Sequence, residues 1–371
     1  MTEANLEPTF AVPRPRKFGQ AGAPPAPVPS LGPLAAFSGS FVGGGLNTIF
    51  RPNLGSPTPV PIPAEGNPDN ILELNLTHET LTFLPSLGAV PNRGEVQQDA
   101  FLNGVPYQQV ISDVTNPAAP FGIHFEPGLW MTVPATTNPA EGPTLARMAS
   151  IPHGTTINAQ GTSLSVAGPP VIDPVSITPF TPAGVQIRFP SQTAALGDTF
   201  RVPQDLDPFI ISGTITQDIL DDPNTVLRNA IKGQTISETV VIPVSTDPDA
   251  PLFGGGTDNI AFLLGSLTAT APNSQATQMS ATFWIETVKY IITVPAYTPG
   301  QPPLLIPGEG GQFAPTFLVQ PSGDLSEPTV ATVSATQIQY SQKVILNFNG
   351  LLWPHVSVAT LVPAAPVPVT I

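Results

Sequence analysis

The chain has 371 residues, of which 49 are proline, 10% are charged and 41% are hydrophobic; this composition excludes a helical bundle or coiled coil but leaves enough apolar surface for a sizeable core. Twelve basic against 26 acidic residues give a net charge of -14, which repels phosphate backbones at long range and argues against a nucleic-acid partner. Cysteine is absent, so disulfides, thiolate metal sites and thiol nucleophiles are excluded, and only His, Asp, Glu, Tyr or Met could bind a metal.

Residues 1–30 are rich in Pro, Ala and Gly, as in Ala21-Gly22-Ala23-Pro24-Pro25-Ala26-Pro27, and read as an extended arm. Glu3, Glu7, Arg14, Arg16 and Lys17 interrupt any secretory apolar stretch, and no apolar run reaches the roughly 18 residues of a membrane helix. The expectation is a cytoplasmic protein with no membrane insertion. The Asn75-Leu76-Thr77 triplet is then an accidental glycosylation match.

From Leu31 to Ile371 the chain reads as a single elaborated all-β domain. Short apolar or alternating runs separated by Pro, Gly, Asn and Asp predict strands over 71–84, 107–114, 122–133, 144–157, 185–189, 239–244, 278–294, 330–348 and 356–362. Over Gln337 to Phe348 the alternation places Ile338, Tyr340, Val344, Leu346 and Phe348 on one face, which should line a core or cavity. One short helix is predicted after Asp222, with Pro223 in its first turn, an apolar stripe of Val226, Leu227, Ala230 and Ile231, and Gly233 as its stop. Asp218, Asp221 and Asp222 suit dipole compensation there rather than catalysis. Gly43-Gly44-Gly45 and Gly254-Gly255-Gly256 lack a following helix and lysine, and read as turns or bulges. Asp247-Pro248-Asp249 reads as a turn rather than a calcium loop, and Pro299 to Pro307 as loop or edge segments.

The four histidines are His78, His124, His153 and His355, and no two have metal-ligand spacing. No nucleophile elbow, dinucleotide fingerprint or phosphate loop occurs. His78 has no special context. His124 and Glu126 are two apart on one strand and share a face, either as a structural hydrogen bond or as an acid-base pair; His153 sits at a turn beside Gly154. In Trp353-Pro354-His355-Val356-Ser357-Val358-Ala359-Thr360-Leu361 a histidine opens an alternating strand. It is either a rim residue or a single axial haem ligand, since one neutral imidazole can hold haem iron in a hydrophobic slot.

Four blocks, in order, carry a family resemblance. Leu31 to Gly45 resembles the opening of the nitrobindin family, with Phe41 where that family has tryptophan. Gly122 to Met131 is similar to its H-x-E-x-G strand, Arg147 to Gly161 to the following strand pair, and Ile338 to Leu361 to the closing hairpin, in which a histidine starts the last strand. The resemblance covers about 31–165 and 330–363, with an insert over about 166–329 that includes barrel-like strand at Met279 to Val288. It implies an antiparallel up-and-down barrel of about ten strands, of calycin type, holding haem b with His355 as the axial iron ligand. Phe41, Tyr340 and Arg147 would contact the cofactor, and Arg147, Arg93 and Lys343 are the expected propionate partners. His124 and His153 are the candidate catalytic residues. The partner is then a small-molecule ligand, with a homodimer compatible but not read from the residues. The implied chemistry is binding or converting nitric oxide, peroxynitrite or peroxide, as a peroxynitrite isomerase or a weak haem peroxidase. The alternatives are a haem-free barrel binding an apolar small molecule and an interaction protein acting through its proline-rich arm.

Overall fold

The computed structural model describes residues 27–53, 70–151, 153–265, 273–310 and 313–371; the arm expected over 1–30 lies outside these apart from its last residues, where the Pro29 carbonyl accepts from Asn103 Nδ2. The alternating runs become ten long strands: β1 (Gly39–Pro52), β2 (Asn70–Phe83), β3 (Ala100–Asp113), β4 (Phe121–Val133), β5 (Thr144–Ile151), β6 (Thr155–Gly161), β7 (Thr235–Ser245), β8 (Gln275–Val294), β9 (Thr329–Phe348) and β10 (Leu351–Pro363). Each pairs antiparallel with its neighbours in the sequence. β10 returns to β1, from Phe41 opposite Pro363 to Thr48 opposite Val356, and β6 meets β7 at Gly161 opposite Val244 and Gln160 opposite Ser245. The result is a closed ten-stranded up-and-down barrel, which leaves no long unpaired edge.

The run over 144–157 is β5 and the start of β6, the strand pair that the resemblance implied; they meet at the expected turn beside His153, where Gly154 takes a φ of +94°, open to glycine and strained for other residues. Val185–Phe189 forms no strand: only an isolated bridge joins Phe180 to Gln186, and Pro190 follows. Four short α-helices appear among the described residues instead of one: α1 (Asp207–Ser212), α2 (Gln217–Asp221), α3 (Thr225–Ala230) and α4 (Ala261–Leu264). Asp222 closes α2 rather than opening a helix; its carboxylate takes the Asn224 amide and pairs with Arg228. Gly43 to Gly45 are not a turn. They lie within β1, where a Cβ on Gly45 would sit 1.8 Å from the Val358 carbonyl and one on Gly43 2.0 Å from that of Thr360. Gly254 to Gly256 all have positive φ but are not a turn either: Gly254 and Gly255 are irregular, and Gly256 opens a short strand opposite Asn158.

Two staves, β7 and β8, come from the insert. The segment before them wraps the outer wall: Arg201–Val202 pairs in parallel with β2, and Leu227 and Ala230 of α3 are buried. Arg201 is fully buried and donates to the carbonyls of Ser191, Thr193, Leu196, Pro203 and Gln204, which fixes that segment without a carboxylate partner. β8 and β9 run on past the barrel, and their extensions pack Tyr290, Ile292 and Val333 against Phe317 and Val319 of a three-stranded sheet. In that sheet Leu304–Pro307 is an edge strand, a place that suits Pro307.

One end of the barrel is plugged. A 3-10 helix, Gly32–Ala36, carries buried Leu34, and Phe37 stacks on Phe83 at 4.5 Å and meets Trp130 at 5.5 Å, while Trp130 contacts Phe283 edge-on at 5.1 Å. These rings fill the barrel below a polar layer, and the other end stays open.

Candidate functional site

Two buried clusters form the polar layer. Arg147, on β5, is 1% exposed and has every side of its guanidinium engaged: Nε donates to the Tyr107 hydroxyl at 2.8 Å, Nη1 to Gln342 at 2.6 Å and Nη2 to Glu126 at 2.7 Å. Glu126 also accepts from the Tyr107 hydroxyl and pairs with His124 Nε2 at 3.1 Å. Burial would raise the Glu126 carboxyl, but Arg147, followed by His124 and Tyr107, brings it down to about 2. Glu79, on β2, accepts from Tyr340 at 2.7 Å, Thr77 at 2.8 Å and Gln109 at 3.1 Å. Its pKa is nonetheless raised, because burial outweighs these bonds.

Above this layer lies a cavity of about 310 Å³. Gln109, Tyr340 and Gln342 from the polar layer reach it; Ile49, Ile111, Ile151, Val344 and Leu346 make much of its wall; and Phe262 and Leu263 of α4 stand at its mouth. Three of the four histidines line it. His355 comes from β10, across the ring from the wall that carries His124 on β4 and His153 in the β5–β6 turn. The His124 and His153 rings are 6.1 Å apart. No group of three or more His, Asp or Glu among the described residues is placed to share a metal ion.

His355 is set by its neighbours. Its Nε2 bonds Asn47 Oδ1 at 2.7 Å, and the same oxygen accepts from Ser357 at 2.9 Å. Nε2 is therefore the protonated nitrogen and Nδ1 keeps the lone pair. Burial, then the other two histidines, push its pKa down to about 3, so the ring is neutral at physiological pH. Burial, then His124, lowers His153 as well.

The structure thus gathers His124, His153, His355 and Tyr340 at one cavity. It separates the other expected contacts. Phe41 lies near the plug, edge-on to Phe83 at 6.1 Å, and does not line the cavity. Arg147 lies in the polar layer with its charge neutralised by Glu126; Arg93 pairs with Asp99 on the surface; and Lys343 lines a separate outer cleft with Trp284 and Asn224. No lysine or arginine lines the cavity among the described residues. His78 is exposed.

Sequence reasoning missed Asn47, Glu79, Gln109 and Gln342. Asn47 and Ser357 had a usable signal, since Asn47 is in step with Gly43 and Gly45, and Ser357 with His355, along their strands. Glu79 had none, because a single acid in an alternating strand ordinarily faces solvent.

Among the described residues no helix is long and apolar enough to cross a membrane. No protein-family model and no curated protein matches the chain. The solved structure of Rv2717c from M. tuberculosis is similar over 91% of this chain and 99% of that one, at 11% identity and a TM-score of 0.34, a likeness too distant to bear on ligand or chemistry.

Proposed function

We propose that this barrel binds a small molecule in its open end, and that the ligand is haem b with His355 as the axial donor. The observation that carries the reading is His355 itself: a neutral imidazole in an apolar wall, fixed by Asn47, with one free ring nitrogen and two further imidazoles across the cavity. Ligating histidines commonly give their other N–H to an oxygen acceptor, as this one does. The sequence resemblance to nitrobindins supports the same residue. Bound haem would supply an iron with an open position for nitric oxide, peroxynitrite or peroxide. The chain's own part is to hold the group, exclude water with Ile49, Ile111, Ile151, Val344 and Leu346, and present His124 and His153 opposite the donor.

A second reading, a haem-free barrel for an uncharged apolar molecule, is favoured by the lack of any Lys or Arg on the cavity wall to meet propionates. Titration with hemin separates the two. The haem reading expects one hemin per chain with a sharp Soret band, and loss of that stoichiometric band in His355→Ala while the circular dichroism spectrum is kept. Wild-type binding no tighter than in His355→Ala would leave the second reading.

A further inference from the structure

Binding by His355 makes no use of the most elaborate part of the site. Glu126 is wholly buried and held as a carboxylate by Arg147 at 2.7 Å, with Tyr107 donating to the same oxygen as Arg147. A carboxylate has lone pairs only, so the hydrogen in the 3.1 Å contact with His124 resides on Nε2. His124 Nδ1 then carries a lone pair, has no partner among the described residues, and belongs to a ring that lines the cavity. A buried acid that fixes an imidazole tautomer and offsets the imidazolium charge is how general bases are built.

From this geometry we propose that His124 is the general base of the cavity, acting on a small protic ligand of the hydrogen cyanide or hydroperoxide class, with Glu126 as its positioning residue. The step is a single proton transfer. The bond between the proton and the ligand's acidic atom breaks, its electron pair stays on that atom, and the proton bonds to His124 Nδ1. The imidazolium that forms faces the carboxylate of Glu126, and Arg147 keeps that carboxylate ionised without touching His124.

The other groups around the cavity do not fit the role. Among the described residues no carboxylate fixes the His153 ring. Tyr340 directs its hydroxyl hydrogen to Glu79, and His355 lies across the ring from His124 with its N–H on Asn47. The ionisable groups around His124 among the described residues are Glu126 on its own strand, Tyr107 from β3, His153 from the β5–β6 turn, Arg147 from β5, Glu79 from β2, Tyr340 from β9 and His355 from β10.

The proposal deepens the haem reading, so its test has one arm that needs no haem. In protein labelled with nitrogen-15 histidine, nuclear magnetic resonance should find His124 in the Nε2–H tautomer. Glu126→Gln, whose amide can donate, should shift it toward Nδ1–H. An Nδ1–H tautomer in the wild type overturns the proposal. The second arm uses hemin-loaded protein. With both proteins saturated with hemin, His124→Leu should slow cyanide association at pH 8 by about 100-fold, the lower range for one acid-base group. Carbon monoxide, which carries no proton, should bind the reduced form equally fast in both proteins. Equal slowing of both ligands would mean that leucine merely blocks the cavity, and unchanged cyanide kinetics would remove the base; either result sinks the proposal. Failure to bind hemin would defeat the haem reading instead, leaving the tautomer to decide whether His124 offers a base.

Discussion

At the scale of single residues, the barrel holds two buried glutamates whose environments drive them in opposite directions. Glu126 faces a guanidinium and stays ionised. Glu286, on the outer wall of β8, is also wholly buried but faces amides: Gln337 donates to one oxygen at 2.6 Å and exchanges two hydrogen bonds with Gln234. Among the described residues its other oxygen has no partner, nor does the Tyr290 hydroxyl. Burial therefore raises Glu286 to about 7, and burial, then Glu286, raises Tyr290 to about 12. An acid whose folded pKa lies above its unfolded one stabilises the fold fully below the unfolded value. Here that contribution is lost as pH rises from about 4.5 to 7, at about 1.4 kcal/mol per unit. Glu286→Gln should thus be more stable than the wild type at pH 8 by about 1–3 kcal/mol and equal to it at pH 4, read from urea midpoints at the two pH values. A difference independent of pH would show that Glu286 does not titrate in this range.

At the scale of elements, β1 shows what a strand needs in order to turn a barrel wall. Gly43 and Gly45 let the β1 backbone approach that of β10 so closely that any Cβ would overlap a carbonyl. In a flexible site Gly→Ala stabilises by about 0.4–1 kcal/mol, whereas Gly45→Ala should cost about 2–3 kcal/mol by forcing the strands apart. Thermal denaturation gives the sign directly, and a stabilised variant would refute the close approach. The triplet illustrates how sequence reading falls short here: glycines without a helix suggest a turn, and only the partner strand reveals that they serve packing. Elsewhere the pattern was enough. Alternation from Ile338 turns Ile338, Tyr340, Val344 and Leu346 toward the interior, whereas His355, expected to open its strand, is the fifth residue of β10, which begins at Leu351, and still reaches the cavity wall. Gln342 interrupts the apolar alternation, yet it faces inward, where Arg147 donates to it. Polar residues in the barrel interior could not be told from surface ones, since their partners lie on other strands.

At the scale of the whole molecule, the barrel is unevenly closed. β8 and β9 pair along nearly their whole length and β1 and β2 along theirs, but β6 and β7 share only the pairs at Gly161 and Gln160. Beyond them the two strands diverge: β6 takes Gly256–Asn259 as its partner, while β7 takes Leu164–Ala167. An open cleft of about 820 Å³ lies against this divergence, lined in part by Gly161, Val241, Pro243 and Val244. Ile151 and Thr155, at the opposite end of the β5–β6 ladder from Gly161, line the inner cavity, so the strand with the weakest join of the ring also supplies part of the candidate ligand site. Cooperative units with few hydrogen bonds open first. Amide hydrogen exchange should therefore show protection at Gly161 and Val244 at least about tenfold below that of central β8 and β9 amides. A ligand that packs against Ile151 and Thr155 should narrow that gap, because it binds the closed wall and not the opened one. Uniform protection around the ring would mean that two pairs suffice to close it, and the seam would then not be the route by which the wall yields.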